Sequence, residues 1–296
     1  MSVGLSPAAL PLLRELGDLK RLHSAARAGS IAERLFVAGW GALVAGMAVE
    51  EVMERVVAAA LAAARLGDLD LPTLGALGVD AVTALQAGFD DVTGDLDPVL
   101  RARLRAALSA GVPLAGATPA FVGKLVRQPR AGVTCPGRAR IVLQPAENHA
   151  EHCLMVAVYA VIASPWHEAD PAETFLAAMA HHLHNADMPD SGFTGEMLLG
   201  DALDGVVARS RDRALAELSA PLADEVRRAL APIMGSDTPE ARAFHVADVL
   251  DRVLEIEQHL RASHVTMARV LDDYGLVHDG PVKPFHDRIL ADAGLA

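Results

Sequence analysis

Cysteine is nearly absent: the chain holds Cys135 and Cys153 and no others, too few for a disulfide framework, so a reducing compartment, the cytoplasm, is expected. Aromatic residues make up 4% of the sequence, and strong strand formers seldom alternate with polar residues, which argues against sheet. Basic residues are outnumbered, 26 Lys plus Arg against 38 Asp plus Glu, for a net charge of −12. That balance argues against nucleic acid or an anionic membrane as partner, while leaving room for a small phosphorylated ligand in a locally basic pocket. Long apolar runs are missing too. The longest, Leu35 to Val49, is closed by Arg34 and Glu50 and interrupted by Gly39, Gly41 and Gly46, short of the roughly 20 residues that span a bilayer. The first residues lack the basic region, apolar core and cleavage site of a secretion signal, so export is not expected.

What is abundant is Ala, Leu and Val, which carry most of a 52% hydrophobic fraction and predict an all-α fold. Helical spacing of these residues between Glu and Arg predicts one helix over 6–27, one or two over 31–66, and others near 79–90, 97–110 and 117–128. The three glycines between 39 and 46 must either admit a close neighbour or break the segment. From Arg127 to Gln144 the composition changes to Pro, Gly and Arg, which places a boundary near residue 125, between an N-terminal helical region (1–125) and a second helical domain (126–296). Three later helices carry their own start signals. Asn148 with Glu151 forms a capping-box pattern, Asp170-Pro171 with Glu173 repeats the logic, and Thr238-Pro239 opens the third.

These helices carry polar groups in apolar surroundings: Glu151-His152, then His181-His182, then Asp248. A polar side chain on an inward face needs a partner, and imidazoles and a carboxylate from three helices are the donor set of a metal site in a bundle core. His152 shares a stripe with Val156 and Tyr159. His181 and His182, about 100° apart on a helix, would both reach an ion only over the wedge between them, with His184 a weaker candidate. Asp251, one turn after Asp248, is an alternative ligand, with pairing to Arg252 or Arg242 near the helix surface the expected role. Trp40, Trp166, Met155 and Met179 are expected in the core.

The order His, His-x, distant Asp resembles that of the HD superfamily of metal-dependent phosphohydrolases, closest to its 5'-deoxynucleotidase-like branch. The likeness extends to Pro129-Arg130-Ala131-Gly132, to the Glu-x-x-x-Glu-His of Glu147 to His152, to Pro239-Glu240-Ala241-Arg242 and to Ala247-Asp248-Val249-Leu250. It spans roughly residues 127–257. It implies an HD-domain-like helical bundle preceded by the additional N-terminal region. It also implies metal ligands His152, His181, His182 and Asp248, substrate contacts from Arg130 and Glu147, and catalytic positions at Asp190 and Asn185. Two residues depart from the pattern: His182 stands where the family has Asp, and Asn185 where the branch has a catalytic Glu. A neutral imidazole nitrogen binds one ion where a carboxylate bridges two, so the cofactor expected is one divalent transition metal ion, with Mn, Fe, Co, Ni and Zn all admissible.

The function the resemblance implies is metal-dependent hydrolysis of a small phosphomonoester, such as a nucleotide. The loss of two acids supports a second reading, a non-catalytic HD-fold module that binds a metabolite or protein. A di-iron oxygenase ranks last, because the stretch from 185 to 244 lacks additional histidines. The N-terminal region is a candidate homodimerisation layer, lid or partner platform.

Overall fold

The computed structural model describes residues 7–110, 114–264 and 283–292. Regular structure among them is helical, and pairing of extended backbone is limited to isolated bridges such as Pro129 with Asn148 and Val133 with Ile141. The all-α expectation holds. Contacts divide the chain into Met1–Leu254 and Glu255–Ala296. The expected boundary at 125 falls inside the first unit and inside a helix, Ala120–Arg127.

In the first unit α1 (Leu10–Gly17) is followed by α2 (Ile31–Val44), α3 (Val49–Leu66), α4 (Leu71–Ala76), α5 (Ala81–Val92), α6 (Pro98–Ala107) and α7 (Ala120–Arg127). After a long loop come α8 (His149–His167), α9 (Pro171–Ala180), α10 (Gly192–Leu199), α11 (Leu203–Leu215), α12 (Ala220–Leu230) and α13 (Pro239–His264), whose last turns belong to the second unit with α14 (Lys283–Asp292). No helix among the described residues is long and apolar enough to cross a membrane.

The centre of the first unit is α8. Every residue from His149 to Ser164 is buried, because α2, α7 and α9 pack around it. A helix with water on no side has no polar stripe, so the expected inward stripe of His152, Val156 and Tyr159 is one part of a helix buried all round. Each fully buried Leu, Val or Met contributes about 1.5–3 kcal/mol. The Tyr159 hydroxyl finds its partner in the Leu13 carbonyl at 2.7 Å. Trp40, fully buried, meets Phe121 edge-on with ring centres 5.0 Å apart. Met155 and Met179 are core residues as expected, whereas Trp166 is 37% exposed, near the end of α8.

The glycines in and just after α2 do both things foreseen. A Cβ on Gly41 would stand 2.8 Å from the Gly116 carbonyl oxygen, so two backbones touch there. Gly46 has φ +91 and ends α2, with the Met47 amide donating back to Ala42 O at 3.1 Å, the closure typical of a left-handed residue after a helix. The single helix expected over 6–27 is shorter. It ends at Gly17 and tightens into a 3-10 turn over Asp18–Lys20. That turn sends Lys20 inward, 2% exposed.

Candidate metal centre

The centre starts at the first turn of α8. Asn148 caps it, its Oδ1 accepting from the Glu151 amide at 2.9 Å while Glu151 Oε2 accepts from the Asn148 amide at 2.9 Å. The other Glu151 oxygen accepts from Ser30 Oγ at 2.6 Å, and Asn148 Nδ2 donates to Glu33 at 2.9 Å. The preceding loop is tied on by Arg130 N to Glu147 O at 2.8 Å and His149 N to Gln128 O at 3.1 Å. The cap thus fixes His152 one turn into a fully buried helix, with α2 as a second anchor.

Around His152 the other groups converge. Its Nδ1–H donates to Asp251 Oδ2 at 2.7 Å, which directs the lone pair of Nε2 to the opposite edge of the ring. There lie His181 Nε2 at 3.2 Å and Asp248 Oδ1 at 3.4 Å. His181 gives its Nδ1–H to Ala178 O at 2.6 Å, so its Nε2 also presents a lone pair. Two imine nitrogens and a carboxylate oxygen aimed at one point repel each other unless a cation sits among them. Donors about 2.1 Å from a tetrahedral ion are about 3.4 Å apart, and the observed spacings match that edge. The donor set therefore fits a transition metal ion, which His152, His181 and Asp248 would hold.

Electrostatics agree. Burial pushes His181 down to about 3 and drives His182 well below its ordinary value, so both rings are neutral, as a ligand must be. Burial also disfavours a charged His152, and Arg130 adds to this, but its hydrogen bonds to Asp248 and Asp251 outweigh both and raise its pKa. A proton on His152 is the other way to place a positive charge at this point. Burial opposes ionisation of Asp248 and Asp251 as well. The His152 hydrogen bond and charge nonetheless hold Asp248 low, and Lys20 with His152 brings Asp251 down to about 2.

His181 and His182 are not 100° apart on one helix. Helix α9 stops at Ala180, and His182 leaves helical geometry at φ −103, ψ 19, which brings the two ring centres to 4.2 Å. Ligand atoms of His152, His181 and His182 lie within 4.8 Å of one another. His182 is nevertheless turned partly aside. Its Nδ1–H donates to Asn185 Oδ1 at 2.7 Å, an assignment fixed by Asn185 Nδ2 donating to Met188 O at 3.1 Å, and its Nε2 accepts from Arg130 Nη1 at 3.2 Å. Asn185 is buried and sets the His182 tautomer. Asp190 accepts from the amides of Ala131 at 2.9 Å and Gly192 at 2.8 Å and lies 3.9 Å from Arg130 Nε. Arg130, His182, Asn185 and Asp190 thus form one cluster beside His152, His181 and Asp248.

Two placements differ from expectation. Asp251 is fully buried behind His152 instead of pairing at the surface, and Arg252 bonds Asp248 at 2.8 Å instead. The reason is that Asp251 shares with Asp248 the inward face of α13. Glu147, expected at the substrate, has its carboxylate on Lys20 Nζ at 2.6 Å, and the same ammonium reaches Asp251 Oδ1 at 2.9 Å. His184 has its ring centre 5.5 Å from that of His182, outside the ligand set, and His245 is exposed with Nε2 on Gly235 O at 2.8 Å.

A family profile described as HD domain matches residues 122–279, more than half of the sequence. The chain belongs to the HD domain family. Membership points to chemistry of the metal-dependent phosphohydrolase type. No curated protein and no solved structure matches the chain. The HD domain match includes all the ligands above and begins after α6, so Lys20, Ser30 and Glu33 are contributed from outside it. Sequence reading missed Lys20 and His149 and put Asp251 at the surface. Lysine occurs at positions 20, 124 and 283 alone, with arginine supplying the remaining basic residues, and that rarity was the available signal for Lys20. His149, fully buried 3.7 Å from Asp190 and with both ring nitrogens lacking a hydrogen-bond partner, sat unread beside the motif.

Proposed function

We propose that this HD domain protein hydrolyses a small phosphomonoester, a nucleoside monophosphate being the first candidate, with one divalent transition metal ion. The observation that carries the reading is the convergence of His152 Nε2, His181 Nε2 and Asp248 Oδ1 at 3.2 and 3.4 Å next to a half-buried arginine. When bound, the ion would supply an acidified water and polarise the phosphoryl oxygen. His182 stands ready as a further ligand once a phosphate draws Arg130 off its Nε2, since a guanidinium prefers a paired fork on phosphate to a single bond to imidazole. Asn185 keeps His182 in the tautomer that leaves Nε2 free to ligate. Asp190 holds the loop carrying Arg130 and is the nearby acid for orienting water or protonating the leaving group.

The test is metal content of the purified protein together with phosphate release from a nucleoside monophosphate panel. One ion per chain and metal-dependent turnover, reduced in R130K and lost in H181A, are expected. A protein that binds no metal would rule the reading out. The second reading, a non-catalytic HD module, draws on Asn185: both ends of its amide are engaged at 2.7 and 3.1 Å, so no acid acts from that position. Stoichiometric metal without turnover of any phosphomonoester, unrelieved by H182D/N185E, would select it.

A further inference from the structure

Behind the ligand His152 lies a second group of donors. Glu147, His152 and Asp251 offer ligand atoms within 4.8 Å of one another, all three buried. On composition alone this is a second metal site sharing one histidine with the first. The ammonium of Lys20 sits against it, 2.6 Å from Glu147 Oε1 and 2.9 Å from Asp251 Oδ1, with the lysine side chain 1% exposed. Lys20 is separated from these partners by 127 and 231 positions in sequence. It arrives from the 3-10 turn after α1, which the Arg21 amide closes onto Asp18 O at 2.8 Å.

We propose that the Lys20 ammonium occupies the place of a second metal ion, so that the N-terminal region, from outside the matched HD segment, restricts the centre to one ion. This rests on the metal reading above and goes beyond it. Two buried carboxylates on one spot need a cation, since an uncompensated buried charge costs several kcal/mol. An ammonium is a compact point charge with rotatable donors, able to stand between two carboxylates where a planar guanidinium would splay them. That suits a lysine here in a chain whose basic residues are otherwise almost all arginine. The ammonium also keeps Asp251 where its second oxygen accepts from His152 Nδ1 at 2.7 Å. His152 then faces the ion with Nε2 and the lysine-bound acid with Nδ1. The N-terminal region is thereby a working part of the centre, setting ion number and ring orientation together.

The experiment counts ions in the full-length protein with Mn²⁺, an ion that accepts carboxylate oxygen donors. Wild type, K20M and K20M/E147Q are equilibrated with excess Mn²⁺, desalted and assayed for Mn per chain, with electron paramagnetic resonance to separate isolated from spin-coupled ions. The expected values are one Mn in wild type, two coupled Mn in K20M, where Glu147 and Asp251 are left to bind the second, and one again in K20M/E147Q, which removes a carboxylate with the lysine. If K20M is unfolded without metal, excess Mn²⁺ is expected to restore its helical circular dichroism. One isolated Mn in folded K20M, two in wild type, or no recovery of an unfolded K20M would each overturn the proposal. Wild type binding none would instead remove the metal reading beneath it, so the two failures are distinguishable.

Discussion

The candidate metal centre brings His181 Nε2 and Asp248 Oδ1 to 3.2 and 3.4 Å from His152 Nε2, whereas a cavity of about 340 Å³ between α2, α3 and the α3–α4 turn has room and little chemistry. Its walls are Ile31, Leu35, Ala59, Ala63 and Leu108, and its arginines are already committed. Arg27 bonds Asp68 at 2.8 Å and also Asp70, while Arg34 bonds Asp68. Volume measures what could enter; converging lone pairs measure what is needed. In this chain the two quantities fall in different places, and function is read from the second.

The comparison breaks most visibly at Asp251. Replacing it with Ala would leave the His152 Nδ1–H without its acceptor and take one of two carboxylates from the Lys20 ammonium, and a broken buried pair costs about 3–5 kcal/mol. Urea unfolding should show that loss; a cost below about 1 kcal/mol would mean that the buried network carries little energy. H181A tests the ligand side. With His181 beyond the last residue of α9, helical content should survive while metal affinity falls by at least about tenfold, the lower end of what even outer-layer changes cost. Unchanged metal stoichiometry would remove His181 from the ligand set.

The helices and the side chains that converge at His152 were legible because they obey local rules. Asn148 with Glu151, Asp170 with Pro171 and Thr238 with Pro239 each began the helix expected of them, since a cap is a matter of a few neighbouring residues. His152, His181 and Asp248 stood out as polar groups in apolar helices. Lys20 and Asp251 did not, because their meaning depends on partners 231 positions apart, and an Asp next to an Arg in sequence looks like a surface pair until the helix face is known. The turn at His181-His182 was hidden for a related reason. Nothing local announces that α9 stops at Ala180, and the helix end is what brings the rings together.

Two smaller tests sharpen the contrast from the cavity side. Ala59→Leu adds apolar volume to the empty region and should raise stability by about 0.5–2 kcal/mol with metal content unchanged, since well-separated sites act independently. A loss of metal in A59L would show that the two regions are coupled. Asp70→Asn is the mildest. Burial disfavours the Asp70 carboxylate, but hydrogen bonds from Arg27 and Thr73 outweigh this and lower its pKa from the ordinary 3.8. A depressed acid contributes stability above its unfolded value that is lost as pH falls through the folded one. Wild type should therefore exceed D70N by about 1 kcal/mol or less at pH 7, Asn being itself a good cap, and the gap should begin to narrow below about pH 4 and close as pH falls through the lower folded value. A gap that does not narrow at all below about pH 4 would assign the difference to packing.

Because α8 is enclosed on every side from His149 to Ser164, the amide protons of that stretch are expected to meet solvent only when the whole first unit opens. Their exchange with deuterium is therefore a direct gauge of global stability, while the exposed α10 exchanges by local fraying. An ion that binds the folded state at 100 times its Kd adds about 2.7 kcal/mol to that opening, which slows exchange along α8 by about a hundredfold. The helix that carries His152 would then report, residue by residue and without any substrate, how tightly the centre holds its metal.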